Sequence, residues 1–496
     1  MEAKAVVKLL QEKGFLITPE ALERIMKSEN PEELAEIALE NVKESDESGI
    51  DVKDFEPKEK TKIAPDDSKT MVVVEKTEFR PYAKEIDSRI KVLEDVNSKE
   101  SSSLGTLEDF VDYFKDRFKQ MHGMLRERGK NTVMQIKDLE NARDMDVKII
   151  GMINEKSITK NKHVLLRVED LSGNVNVLIP QHNAELMRLA LNLVLDEVIA
   201  IEGKSRNGLF IANAVYEPDI PIRDVKRTDE DICLALLSDV HIGSKLFMEK
   251  NFNRFLGWLN GRGNGYSEKS KDFASKIKYI TIAGDLTAGI GIYPGQENEL
   301  AITDVYEQYE KLTEYIAEIP EYIHVVISPG NHDAIKKADP QPKLPKDLAS
   351  DLYGMENVTL ISSPGLVELH GLKTLVYHGT SFIDFVSAVP GMSFDHGARI
   401  MVEMLKKRHL HPIYGGRPIT PEKKDYLVIR GIPDIFHTGE SHNNSYETYH
   451  GTICVNSGTW EQISEYQIAQ GHKATPCILP VINMHMGKIG VIHFDK

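Results

Sequence analysis

Seven side chains in the second half of this chain are of types that hold divalent metal ions. They fall in order at the ends of apolar runs. The run ICLALL leads to Asp239 and His241, and KYITIA leads to Asp285. IHVVIS leads to Asn331 and His332, and KTLVY leads to His378. PDIF leads, through Gly439-Glu440-Ser441, to His442. Carboxylate, imidazole and amide donors suit Mn²⁺, Fe²⁺, Zn²⁺ or Mg²⁺ better than a soft ion that prefers thiolates. Asp285 offers two oxygens and can bridge a pair of ions. A pair about 3.5–4 Å apart binds a phosphate, acidifies a bound water and stabilises the leaving oxygen. Phosphoryl transfer asks mainly for positioning and charge neutralisation, so phosphoester hydrolysis is the chemistry indicated. Singly, Asp-Val-His or Gly-Asp after a strand is an ordinary structural pattern. Gly330-Asn331-His332-Asp333 is more specific, because Gly330 permits a tight turn that presents Asn331 and His332 together. The ordered set of five carries the weight.

These side chains need elements that bring them to one place. Each follows a strand-like run, and open α/β sheets place their sites at the C-terminal ends of strands. Residues 232–496 alternate such strands with helices and loops, which predicts a layered α/β domain. Upstream, residues 131–225 read as all-β. DVKIIGMI, HVLLRVED, NVNVLIP, DEVIAIEGKS and LFIANAVY are separated by turn residues such as Ser172-Gly173-Asn174 and Arg206-Asn207-Gly208. They predict a five-stranded barrel of OB type. Barrels that bind single strands use aromatics over a basic groove. This segment has Phe210 and Tyr216 and few basic residues, which favours a structural or partner-docking role over DNA contact. Residues 106–130 predict a connecting helix, with Leu107, Phe110, Val111, Phe114, Phe118, Met121 and Leu125 on one face. Thr106 and Asp109 have the spacing of a capping box. Residues 43–105 are charged, Pro-containing and Ser-rich near their end, and read as mostly flexible linker. Residues 1–42 read as a small helical module, with Thr18-Pro19-Glu20 as a helix start.

Composition narrows the class. At 496 residues the chain is long enough for about three domains of roughly 150 residues. No apolar run approaches the roughly 18 residues of a membrane helix, and the N-terminus lacks the pattern of a signal peptide. The net charge of −16 argues against a protein that coats nucleic acid over its whole surface. Three widely spaced cysteines, Cys233, Cys454 and Cys477, read as buried free thiols in a reducing compartment. A cytoplasmic protein with no membrane partner is expected.

The ordered motifs resemble the calcineurin-like metallophosphoesterase superfamily, with its D-x-H, G-D, G-N-H-D, H and G-H-x-H series. More narrowly, a set of stretches across about residues 232–462 resembles the small subunits of archaeal D-family DNA polymerases. They are LLSDVHIGSKLF, AGDLTAGIGIYPGQENEL, SPGNHDA, YHGTSF, KKRHLHPIYGGRPITPEKKDYLVI, DIFHTG and VNSGTW. The resemblance implies a calcineurin-like layered β-sandwich phosphoesterase domain, preceded by the OB-type barrel and the helical module. It implies two divalent ions, Mn²⁺ foremost, and a 3′→5′ proofreading exonuclease acting on DNA 3′ ends. It implies a large catalytic polymerase subunit as partner, with a sliding clamp as a further contact. Carried over by position, one ion takes Asp239, His241, Asp285 and His442. The other takes Asp285, Asn331, His378 and residue 440. His332 becomes the general acid or a transition-state contact.

Two positions depart from the series. Glu440 stands where G-H-x-H has its first histidine, which changes the charge and metal preference of the site. Ala288 stands where G-D-x-x-D has an acid that orients the catalytic histidine. Two readings follow: an active exonuclease subunit, or a scaffold subunit with a weakened metal site. A stand-alone phosphatase would leave residues 1–220 without a role. The basic residues Lys406, Lys407, Arg408 and Arg417 are candidate contacts for a DNA backbone, or else a solvated helix face and loop.

Overall fold

The computed structural model describes residues 16–17, 49–50, 79–96, 103–262, 266–464, 468 and 473–495. The chain divides into Met1–Thr77 and Glu78–Lys496. In the first unit, strands β1 (Leu16–Ile17) and β2 (Gly49–Ile50) pair in parallel. The rest of the helical module expected over residues 1–42 lies outside the described residues.

The second unit begins with a departure from the sequence reading. Strand β3 (Ile90–Glu94) lies inside the expected linker and pairs antiparallel with residues 366–369. Ile90 and Leu93 pack into two different apolar clusters, so the strand is anchored on both faces. The helix Leu107–Leu125 follows, and its start is the expected capping box. Thr106 Oγ1 accepts from Asp109 N at 3.2 Å, and Asp109 Oδ2 accepts from Thr106 N at 3.0 Å. Only part of its apolar face is covered. Phe118, Met121 and Leu125 are buried, while Leu107 and Val111 stay exposed.

The five β runs form a closed barrel of β4 (Asp146–Ile158), β5 (Val164–Asp170), β6 (Gly173–Ile179), β7 (Val198–Arg206) and β8 (Leu209–Tyr216). The order is β4-β5-β6-β8-β7, and β7 closes on β4. Side chains alternate along each strand. Ile149 and Ile201 therefore face the barrel core, while Ile150 and Ala200 face outward onto the helix 107–125.

Two six-stranded sheets make the body. The first contains β9 (Cys233–Leu237), β10 (Ile277–Ala283), β11 (His324–Ser328) and β12 (Val358–Leu360), all parallel. The second contains β13 (Gly365–Leu369), β14 (Leu372–Val376), β15 (Ile435–Thr438), β16 (Ser445–Tyr449) and β17 (Thr452–Asn456), with β3 at its edge. Strands β18 (Ile478–Asn483) and β19 (Lys488–His493) extend the first sheet beside β9. In β9, Leu234 and Leu236 point to a cluster shared with Val367, Val376 and Val455 of the second sheet. Cys233, Ala235 and Leu237 point the other way, onto helices carrying Phe252, Phe255 and Leu312. The outer face of the second sheet is covered by Phe385, Met401 and Leu405. Parallel strands buried on both faces read as unbroken apolar runs, which is why these were visible in sequence. Among the described residues, no helix is long and apolar enough to cross a membrane.

Buried charge joins the barrel to the body, and it corrects the reading of the basic stretch. Lys407 is fully buried. Its Nζ lies 2.8 Å from Glu217 Oε1, 3.1 Å from Glu197 Oε2 and 3.7 Å from Glu403 Oε2. Arg408 is buried too, and its Nε donates to Ile429 O at 2.7 Å. Neither side chain can reach a DNA phosphate. Burial pushes Glu197 up to about 7 even though Lys407 opposes it. A second lock is Arg117, which donates to Asp425 Oδ2 at 2.7 Å and to Pro412 O at 2.6 Å. Removing one partner of a buried ion pair leaves uncompensated charge and costs about 3–5 kcal/mol. Lys407→Ala is therefore expected to lower unfolding stability by about that amount, measured by urea titration of the full chain.

Candidate metal centre

The strand-end residues converge, and the backbone bends sharply to bring them together. Asp239, His241, Asp285, Glu440 and His442 all have positive φ, between 50° and 68°. Such conformations are uncommon for residues with a Cβ and cluster at functional sites. Gly330 has another role from the one its sequence context suggests. Its φ is not positive, but a Cβ there would overlap the Asp285 carboxylate and backbone N–H. It permits close approach rather than a special turn. Asp333 ties the surrounding loops by accepting from Gly330 N at 2.8 Å, Tyr309 OH at 2.9 Å and Leu286 N at 3.2 Å. Burial and the nearby Asp285 push its carboxyl up to about 6.

Asp285 lies at the centre. Its Oδ1 accepts from His332 N at 2.9 Å and lies 3.3 Å from His378 Nε2. Its Oδ2 lies 3.8 Å from His241 Nε2 and 3.9 Å from His332 Nε2. On one side, His241 Nε2 and His442 Nε2 are 3.2 Å apart, and His442 Nε2 is 3.4 Å from Asp239 Oδ1. On the other side, His378 Nε2 is 3.0 Å from Glu440 Oε2. Three sets of donor atoms each lie within 4.8 Å of one another: Asp239, His241 and His442; His241, Asp285 and His332; and Asp239, Asp285 and His378.

The hydrogen bonds leave some of these donor atoms unsatisfied. His378 Nδ1 is 2.8 Å from Ala283 O. A carbonyl can only accept, so Nδ1 carries the proton. In a neutral ring Nε2 then turns a lone pair toward two carboxylate oxygens, and only a proton or a metal cation reconciles the three. Nε2 is buried without a hydrogen bond, as is Asn331 Oδ1. The protonation tendencies reflect the same crowding. Burial opposes charge on His378, but Asp285 outweighs it and holds the imidazole well above its usual range. Burial likewise opposes charge on His442, yet Asp239 raises it to about 9. Burial and the neighbouring His332 push His241 well below its usual value. Asp285 is held far below the carboxylate range by His378 and His332, despite its burial. Hard oxygen and imidazole donors with orphaned atoms between them fit divalent cations.

The Ala288 departure is answered by the backbone. His332 Nδ1 lies 3.0 Å from Ala288 O, so Nδ1–H donates to that carbonyl. Gln296 Nε2 donates to the same oxygen at 2.8 Å. The ring is therefore oriented without the missing acid, and Nε2 faces Asp285. No residue-type pattern could have signalled a main-chain acceptor. A second residue escaped the sequence reading. Glu461 reaches the His241 side, with Oε2 4.0 Å from His241 Nε2. It stands in the loop beyond Trp460, five positions past the end of β17, so the strand-end rule does not find it.

The basic residues do not join this cluster. Lys407 and Arg408 are interior, as described above. Lys406 pairs with Glu403 at 2.6 Å and lies over the Tyr449 ring. Arg417 is exposed, and its backbone N–H donates to Asp384 at 3.1 Å.

Displacing the Asp285 carboxylate disturbs every donor around it. If these donors hold a divalent ion, Gly330→Ala is expected to weaken its binding about 10–100-fold, the range seen when groups that orient ligands are lost. Isothermal titration of the variant against the parent chain measures this.

Known proteins share this sequence over most of its length. The family of B subunits of DNA polymerase alpha/epsilon matches residues 234–447. The DNA polymerase II small subunit of Methanocaldococcus jannaschii is 40% identical over 414 residues, covering 82% of this chain and 69% of that one. The DNA polymerase II small subunit of Methanothermobacter thermautotrophicus is 38% identical over 407 residues, covering 82% and 83%. That of Archaeoglobus fulgidus is 41% identical over 379 residues, covering 76% and 75%. With donors gathered at strand ends and these relatives at such identity and coverage, the chain belongs to the family of archaeal DNA polymerase II small subunits.

Proposed function

We propose that this chain is the metal-dependent 3′→5′ exonuclease subunit of a two-subunit DNA polymerase, and that it also supports the large catalytic subunit. The observation that carries the reading is the convergence of donor atoms around Asp285, with three sets each within 4.8 Å of one another and His378 Nε2 3.3 Å from Asp285 Oδ1 and 3.0 Å from Glu440 Oε2. Asp239, His241, Asp285 and His442 would hold one divalent ion, Mn²⁺ foremost. Asp285, Asn331, His378 and Glu440 would hold the other. Bound there, two such ions supply charge neutralisation at a phosphate and a nucleophile at neutral pH. The two sheets with helices outside favour a calcineurin-like layering, and the barrel's strand order favours an OB type. Lys407 ties that barrel to the phosphoesterase domain, which suits a subunit that presents one rigid surface to a polymerase partner.

The residues themselves set up the remaining chemistry. His332 is fixed through Nδ1 to the Ala288 carbonyl, which leaves Nε2 as the nitrogen that meets a leaving oxygen. In a 3′→5′ cleavage the bond between the terminal nucleotide's phosphorus and the O3′ of the penultimate residue breaks. Water adds to phosphorus, and the O3′ of the penultimate residue takes the proton. The products are a nucleoside monophosphate and a strand one residue shorter. Glu440 brings a negative charge where the related series has histidine. It strengthens cation binding and weakens the attraction for an anionic substrate.

The test is degradation of 3′-mismatched primers by the full chain, alone and with its large subunit, in Mn²⁺. Asp285→Ala is expected to abolish cleavage, and Glu440→His to raise it. Loss of the general acid in His332→Ala is expected to lower the rate by roughly 10²–10⁴-fold while Mn²⁺ binding persists. Absence of metal-dependent cleavage in every form, with the large subunit still unstable without this chain, would replace the exonuclease by a scaffold.

A further inference from the structure

We infer that Glu461 is a further carboxylate of the metal centre, serving the ion on the Asp239, His241 and His442 side. The inference rests on the metal-binding function proposed above. Glu461 is held rigidly on that side of the pocket. Its backbone N–H donates to Thr459 Oγ1 at 3.1 Å, and Thr459 Oγ1 donates to Asp239 O at 2.9 Å. Trp460 N donates to the same carbonyl of Asp239 at 3.0 Å. Residues 460–462 are also strapped to the loop after His241, with Met248 N donating to Trp460 O at 2.8 Å and Gln462 N donating to Leu246 O at 3.0 Å. The hydroxyl of Ser244 donates to Oε1. That bond fixes the carboxylate plane and leaves Oε2 on the imidazole side, 4.0 Å from His241 Nε2.

Among the described residues, no lysine or arginine side chain balances a carboxylate placed here. The groups it faces are the imidazoles of His241, His332 and His442 and the carboxylate of Asp239. Its side chain is only 15% exposed, so water does little to screen it. Ser244 satisfies only Oε1; a carboxylate shielded from water is costly unless a cation is near it, and a divalent ion among these imidazoles would supply that cation at Oε2. Asp239, Asp285, Glu440 and Glu461 together bring four negative charges, which match two divalent cations. The Glu461 oxygen acts on the ion directly or through a water that the ion holds. In both cases removing its charge weakens that one ion and leaves the other.

Glu461→Gln separates this role from loop bracing, because the amide oxygen still accepts from Ser244. Titrate the full chain with Mn²⁺ and follow heat. The parent is expected to bind two ions, and Glu461→Gln to bind one of them about 10–100-fold more weakly with its metal-free melting temperature unchanged. Asp285→Ala should disturb both. If Glu461→Gln binds both ions like the parent, Glu461 is a loop brace and the inference falls while the metal centre stands. If the parent itself binds no Mn²⁺, the proposed metal centre falls and takes this inference with it.

Discussion

One carboxylate holds the site together. Asp285 shares its two oxygens among His332, His378 and His241 within 3.9 Å, so each half of the pocket is defined by its distance from the same group. That arrangement depends on tight backbone packing. The end of β11 must pass against Asp285, which is possible because residue 330 has no Cβ. The ends of β9 and β10 must also meet, and Asp239 N donates to Gly284 O at 3.0 Å while His241 N donates to Asp285 O at 3.1 Å. The donors are therefore located by main-chain hydrogen bonds between neighbouring loops, and their rotamers only finish the placement.

Left-handed backbone at five donor residues is unfavourable, of order 1–3 kcal/mol each. The surrounding sheets offset it. Strands β9, β10 and β11 are buried at every position, and each contributes apolar side chains to both of its faces. Full burial of such side chains is worth about 1.5–3 kcal/mol apiece. The strain thus sits at the edge of the most rigid part of the molecule.

The same geometry explains what could be read from the sequence. Asp239, Asp285 and Asn331 follow β9, β10 and β11, buried parallel strands that read as near-continuous apolar runs whose ends are positions in one dimension, while His378 and His442 follow the shorter, mixed strands β14 and β15. The Ala288 carbonyl was not legible, because a main-chain acceptor carries no residue identity. Alanine looked like a loss when the backbone had taken over the task. Glu461 was missed because it reaches the pocket from a loop strapped to the segment after His241. Strand β3 was hidden because five residues in a charged stretch give little periodicity, and its partner β13 lies far along the chain. Lys407 was misread because sequence shows its charge but not Glu197 and Glu217, which the fold brings from the barrel side.

Lys407 also links the barrel to the site. Lys407 ends the helix Gly397–Lys407, whose 11 residues span about 16 Å at 1.5 Å per residue. At the other end of that helix, Gly397 packs so closely on Asn456 that a Cβ would lie 2.8 Å from its Cγ. Asn456 Nδ2 donates to Ser441 Oγ at 2.7 Å, and Ser441 sits between Glu440 and His442. One helix therefore pairs with the barrel's glutamates at its C-terminal end and packs beside the loop from Glu440 to His442 at its N-terminal end. The barrel and the loop from Glu440 to His442 are thus joined through packed atoms of one helix rather than through a flexible tether.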